Sequence, residues 1–216
     1  MKKMVNARLK LAVDVDGVLA DQCPPTLARA EDELGVRMTK ADVTTWNVMV
    51  GNIPFDKLIV KYLTDPDFVK TMPVMDGAKE GMAVLRELGE VIIATSIPKE
   101  AEKPRREWLR NNFDYEGPML NTIRTGKAAL QVDMLIDDFP LNVTSFIKSD
   151  IRHRAILLSQ PWNQPEVQQF TTNPTNTSIW VADDWWQIIR WANMVGGLAL
   201  NARRPVTLPP LTMRRF

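Results

Sequence analysis

Four short apolar runs constrain this chain most: LKLAV (9–13), EVIIAT (90–95), VDMLI (132–136) and RAILL (154–158). Each is too short for a stable helix, and none alternates cleanly between apolar and polar residues. Such runs belong in a sheet covered on both faces, which is the habit of parallel sheets. Helical periodicity fills the gaps. In AKEGMAVLREL (78–88), Ala78, Met82, Leu85 and Leu88 share one side, with Asp76 as the expected N-cap and Gly89 as the expected C-cap. Residues 99–112 predict a charged helix that buries Trp108 and Leu109, and residues 183–194 predict another. Strand and helix alternate, so the class is α/β with a parallel sheet.

Residues 22–73 break this rhythm with several helical pieces and no strong strand run. Pro54 and Pro66 read as helix starts, the latter behind a capping Asp65. Because the segment follows the first strand, it should project from the carboxyl edge of the sheet, where open α/β sheets bind ligands. The expectation is a catalytic core of residues 1–21 and 74–195 with a helical cap at 22–73; a lateral structural insertion is the alternative. Residues 196–216 are expected to form a basic tail, because NARRPVTLPPLTMRRF contains three prolines, four arginines and no acid.

The bulk numbers remove several function classes. A chain of 216 residues supports one sizeable core. A net charge of +1 weighs against nucleic acid as a partner. Cys23 is the only cysteine, so no intrachain disulfide forms, which fits a reducing compartment. His153 is the only histidine, which disfavours a histidine-rich metal site or relay. No apolar run reaches membrane-spanning length, so no membrane association and a cytoplasmic location are expected. Oligomeric state is open, with a homodimer among the options.

The chemistry concentrates at strand ends. In LAVDVDGVLAD (11–21), Asp14 and Asp16 lie just past an apolar run and just before Gly17. Two carboxylates that close repel each other unless a cation or shared proton intervenes, and a hard divalent cation such as Mg²⁺ suits oxygen ligands. Alone, DVDG reads equally as a turn that uses Asp and Gly for their backbone preferences. Three further features shift the balance. The run VIIA ends in Thr95 and Ser96 before Pro98 opens a helix, a setting that holds phosphate or simply caps the helix. VDMLI runs straight into Asp137 and Asp138, with Pro140 next. Lys127 stands upstream of that pair, either as a solvated charge or as a partner for carboxylates and phosphate.

This ordered set resembles the haloacid dehalogenase (HAD) superfamily of phosphohydrolases, which implies a Rossmann-like three-layer core. DVDGVLAD, PVMDGAKEGMAVL, ATSIP, the lysine ten before IDD, and IWVADDWWQII further resemble the 5′(3′)-deoxyribonucleotidase family across residues 9–190. The resemblance implies a Mg²⁺-dependent phosphomonoesterase acting on (deoxy)nucleoside monophosphates. It implies that Asp14 is the nucleophile and a metal ligand, and that Asp16 is the general acid/base with its backbone carbonyl on the metal. It implies that Thr95, Ser96, Lys127 and amides near Gly17 hold the phosphate. Of the last pair, Asp138 is taken as the direct ligand and Asp137 as its supporting neighbour, although spacing cannot order them. Asp183 and Asp184 read as an N-cap ahead of Trp185, Ile188 and Ile189 rather than as a second metal site.

Base recognition departs from the family pattern. The residue after VLAD is Gln22 rather than an aromatic, the cap element reads Thr45, Trp46, Asn47, and Phe139 stands where an arginine often follows the DD pair. Trp46 is expected to stack on a base or to anchor the cap, and Gln22 and Asn47 to meet a base edge. A phosphatase of sugar phosphates or of nucleic-acid termini, and a silent binding module, are the alternatives. Arg203, Arg204, Arg214 and Arg215 motivate the nucleic-acid option.

Overall fold

The computed structural model describes residues 8–173 and 177–202. The chain runs through β1 (Leu9–Val13), α1 (Cys23–Leu34), β2 (Met49–Val50), β3 (Ile53–Pro54), α2 (Phe55–Leu63) and α3 (Pro66–Lys70). It continues through α4 (Ala78–Leu88), β4 (Gly89–Thr95), α5 (Glu102–Phe113), β5 (Met119–Asn121) and β6 (Met134–Asp137). It ends with α6 (Pro140–Ser149), β7 (Arg154–Leu158), α7 (Gln164–Thr172), β8 (Ile179–Ala182) and α8 (Trp185–Ala202). Six strands form one parallel sheet in the order β5-β4-β1-β6-β7-β8, as the apolar runs predict.

Period-two alternation sorts the strand residues onto two dry faces. Leu11, Val13, Ile93, Met134, Ile136 and Ile156 point to one face, where Met82 of α4, Trp108 of α5 and Ile188 of α8 cover them. Ala12, Ala94, Leu135, Ala155 and Leu157 point to the other, beneath Val143 and Phe146 of α6 with Val167 and Phe170 of α7 alongside. Neither face meets water beyond the amino ends of the strands, where Lys10, Glu90 and Arg154 lie, which is why the rest of each run is mainly apolar. β1 lies between β4 and β6, with Val13 level with Ile93 and Ile136. The carboxyl ends of these three strands therefore open at one edge. Among the described residues, no helix is long and apolar enough to cross a membrane.

Residues 23–72 are mainly helical, but they also contain the antiparallel β2–β3 hairpin, which the sequence pattern did not predict. Two paired residues per strand are too few to make a run. Asp65 caps α3 as expected, accepting from the Asp67 amide at 3.0 Å. Pro54 also stands at a helix start as expected: it ends β3 and is the N-cap residue of α2, which begins at Phe55.

Other boundaries move for local reasons. The N-cap of α4 is Gly77, not Asp76, because the chain enters through a turn in which Gly77 takes φ 73° and the Ala78 amide donates to Met75 O at 3.0 Å. Gly89 closes α4 in extended conformation and is already the first residue of β4; its Cα packs against the Leu9 carbonyl, leaving no room for a side chain. Pro98 leads first into a short 3-10 turn, Lys99–Ala101, before α5. β6 starts at Met134 rather than Val132 and extends through Asp137. Asp184 caps α8 by accepting from the Gln187 amide at 2.8 Å, as expected. That helix runs on to Ala202, past the boundary expected at 195, because its apolar sequence continues to Leu200. Arg203, Arg204, Arg214 and Arg215 lie outside the described residues.

Gly81 of α4 faces the buried ring of Trp185 so closely that a Cβ would overlap it. Overpacking costs about 1–3 kcal/mol, against the roughly 1 kcal/mol a helix gains by losing a glycine. Gly81→Leu is therefore expected to lower the urea midpoint with an unchanged m-value.

Candidate active site

The turn after β1 sets the geometry. The Asp14 amide donates to Ile136 O at 3.0 Å, tying this residue to the end of β6. The carbonyl of Val15 then accepts from Val18, Leu19 and Ala20, winding the chain into a tight loop. Gly17 makes that loop feasible with φ 80°. It also lets the Asp138 carboxyl approach, since a Cβ on Gly17 would lie 2.7 Å from Asp138 Cγ.

Neighbouring strands now bring distant residues together. One carboxylate oxygen from each of Asp14, Asp137 and Asp138 lies within 4.8 Å of the others, and all three residues are buried. Lys127, 1% exposed, places its Nζ 2.8 Å from Asp14 Oδ1 and 2.6 Å from Asp137 Oδ2. Asp137 also accepts from the Phe139 amide at 2.8 Å and from Asn142 Nδ2 at 3.1 Å, so it is saturated by protein donors. Asp138 accepts from Trp162 Nε1 at 2.8 Å through Oδ2. Its backbone carbonyl is held by Asn163, which also bonds Leu158 O, and Gln160 Nε2 holds Gly17 O at 2.8 Å.

The electrostatics follow from burial. Desolvation pushes the Asp14 carboxyl up to about 7; Lys127 opposes this, and Asp137 and Asp16 add to it. Desolvation, then Asp137 and Asp14, raise Asp138 well above the usual carboxylate range. Burial works against the charge on Lys127, but Asp137 and Asp14 outweigh it and hold the ammonium above the usual lysine range. Three buried carboxylates face one ammonium. An all-oxygen donor set with this excess of negative charge fits a hard divalent cation, with Asp14 and Asp138 the groups left open to it.

The other predicted residues divide. The Asp16 carboxylate stands apart from the acidic cluster and accepts from Arg105 Nη2 at 2.7 Å. Thr95 is fully buried at the end of β4, and its hydroxyl has no hydrogen-bond partner. Ser96 is exposed and shares a hydrogen bond with Thr122 Oγ1 at 2.9 Å. Trp46 lies 5.0 Å from Trp162 and 6.1 Å from Phe139, ring to ring, so an aromatic patch adjoins the Asp138 side of the cluster. Gln22 is wholly buried with both amide atoms unpaired, and Trp46 Nε1 is likewise unpaired. Asn47 is exposed.

Sequence reasoning missed Trp162, Asn142, Asn163, Gln160 and Arg105. QPWN (160–163) follows the RAILL strand with only Ser159 between, so its position at a strand's carboxyl end was the available signal. Asn142 sits in the first turn of the helix after the DD pair. Arg105 is hidden in the charged run EKPRRE and had no signal.

The family described as "5' nucleotidase, deoxy (Pyrimidine), cytosolic type C protein" matches residues 8–189, which takes in every element of this site. The chain belongs to that family. It is therefore a nucleotidase-type phosphatase, and its fold is that of the HAD hydrolases. A Staphylococcus aureus (strain Mu50) protein, provisionally assigned as a 5′(3′)-deoxyribonucleotidase, is 30% identical over 156 residues, covering 69% of this chain and 84% of that protein. The 5′(3′)-deoxyribonucleotidase of Bacillus subtilis (strain 168) is 25% identical over 169 residues, covering 77% and 90%. Among solved structures, a HAD family hydrolase from Deinococcus radiodurans R1 aligns with a TM-score of 0.56 at 13% identity, over 89% of this chain and 98% of that one. That similarity concerns the fold alone.

The raised Asp14 carboxyl makes metal-free stability depend on pH. The native group takes up its proton as pH falls through about 7, whereas the unfolded group does so near its ordinary value of 3.8. Its contribution is thus complete below the unfolded value and lost as pH rises through 7. A divalent cation competes with those protons. Mg²⁺ is expected to raise the thermal midpoint more at pH 8 than at pH 5.5, and a pH-independent shift in a melting series would contradict this.

Proposed function

We propose that this family member is a Mg²⁺-dependent phosphomonoesterase that removes phosphate from (deoxy)nucleoside monophosphates through a phosphoaspartate at Asp14. The observation that carries the reading is the pairing of a buried Asp14, held by Lys127 beside Asp138, with a second carboxylate, Asp16, kept outside that cluster. One carboxylate serves as nucleophile while the other handles protons.

Asp14 attacks phosphorus and the ester P–O bond breaks; the departing nucleoside oxygen takes the proton of Asp16. Asp16 then accepts a proton from the water that attacks the acyl phosphate, releasing inorganic phosphate and restoring Asp14. Lys127 and the unpaired Thr95 hydroxyl favour the phosphate oxygens, with Ser96 and amides near Gly17 in support. Asp14, Asp138 and the Asp16 carbonyl would hold the cation, with Asp137 steadying Lys127 and the strand end. The cation, when bound, neutralises charge on the transferring phosphoryl group.

Residues 22–73 act as the cap in this reading. What supports it is the reach of Trp46 from that segment to Trp162, the residue that holds Asp138. Trp46 then offers a face for the base, and Gln22 and Asn47 offer amides. Stacking on an aromatic is worth about 1–3 kcal/mol per base.

A phosphate-release screen over nucleoside 5′- and 3′-monophosphates with Mg²⁺ tests the proposal. Deoxynucleotides are expected to be turned over, with Asp14→Asn and EDTA each removing activity and Asp16→Asn lowering it by about 10²–10⁴-fold. Full activity in EDTA or in Asp14→Asn would reject the mechanism. Turnover of sugar phosphates alone would reject the substrate class.

A further inference from the structure

Arg105 is the only fully buried arginine among the described residues. A guanidinium taken wholly out of water needs a compensating carboxylate, or it destabilises the fold. The carboxylate it meets is Asp16: Nη2 donates to Oδ1 at 2.7 Å, and the Asp16 side chain is 15% exposed. The remaining surroundings are weak partners. Nη1 lies 3.7 Å from Met72 Sδ, Cζ sits 5.6 Å from the Trp108 ring centroid, and Nε has no partner. A merely structural arginine would be expected to gather backbone carbonyls around its fork; this one directs its single strong bond at Asp16.

The frame behind it is rigid. Arg105 and Trp108 lie on the same face of α5, and the Trp108 indole donates to Met72 O at 2.8 Å. Just after Met72 the chain returns to the turn after β1: Asp21 N donates to Pro73 O, and Met75 N donates to Leu19 O. The guanidinium is thus set between a helix and the extended segment 72–75, whose Val74 bridges to Ala20 in the Asp16 loop. Only one oxygen of Asp16 is engaged, and Oδ2 carries no hydrogen bond among the described residues.

We propose that Arg105 is a positioning residue that aims Asp16: it pins Oδ1 so that Oδ2 faces the leaving oxygen of the phosphate ester. The proposal rests on the nucleotidase reading above. It assigns Arg105 no contact with substrate and no part in metal binding.

A general acid matters for an alkoxide leaving group and hardly at all for p-nitrophenolate, which departs without a proton. The test is therefore a ratio of kcat/KM values, since kcat/KM reports the steps up to departure of the leaving group. Substrates are a nucleoside monophosphate active in the screen, phenyl phosphate as a second reluctant leaving group, and p-nitrophenyl phosphate. Arg105→Met is expected to lose about 10- to 100-fold on the first two, a fraction of the full general-acid contribution. On p-nitrophenyl phosphate its kcat/KM should stay close to wild type. Arg105→Lys should lose less, with the same selectivity. Asp16→Asn should show the selective pattern in full, and Asp16→Asn/Arg105→Met should be no worse than Asp16→Asn alone. Equal losses on all three substrates, additive losses in the double variant, or an unchanged ratio in every variant that folds would overturn the proposal. If Arg105→Met does not fold, Arg105→Lys and Arg105→Gln decide by the same ratio. Wild-type protein that turns over none of the three in an Asp14-dependent way would instead strike the nucleotidase reading.

Discussion

Three carboxylates buried around one lysine are the interaction on which the structure at the sheet edge depends. Asp14, Asp137 and Asp138 repel one another in a region that water does not screen. The protein answers with directed donors rather than distance. Lys127 bridges two of the acids, Asn142 and a backbone amide complete Asp137, and Trp162 takes one oxygen of Asp138. What remains uncompensated is charge that a divalent cation would complete. Gly17 belongs to the same solution, because the loop that carries Asp16 must pass against the Asp138 carboxyl.

Around this knot the two acids of DVDG receive different surroundings. Asp14 is drawn into the cluster by the backbone bond to β6, and Asp16 is drawn out of it by Arg105. Residues two apart in sequence thereby become chemically distinct groups. The separation is made by elements far along the chain: β6 at 134–137 and α5 at 102–113. The same holds for the aromatic side of the site, where Trp46 from the inserted segment meets Trp162 from the loop after β7.

Legibility followed the strength of the local signal. RAILL and LKLAV coincide with β7 and β1, because a strand dry on both faces is apolar throughout its buried part, with Arg154 and Lys10 confined to the amino ends. β5 and β8 escaped, being strands of three and four residues at the two edges of the sheet, too short to stand out as runs. The β2–β3 hairpin escaped for the same reason. At helix ends, Asp65 and Asp184 were readable because a side-chain cap is a local bond. Asp76 was misleading because Gly77 next to it turns the chain by backbone conformation instead.

At the site, the acids and the hydroxyls sit at ends of recognisable strands, whereas Lys127 lies in the loop between β5 and β6; taken singly each had a bland reading, and it was their order along the chain that marked them out. Their second partners were not legible in this way. Trp162, Asn163, Gln160 and Arg105 touch the site only through contacts of 24, 25, 143 and 89 residues in separation. By itself the sequence determined the parallel sheet, the edge at which its chemistry lies, and the residue types there, because burial and strand periodicity act locally. Only the tertiary structure decided which carboxylates share a cluster and which is set apart. Repulsion, desolvation and hydrogen-bond direction depend on distances in space that no spacing along the chain encodes.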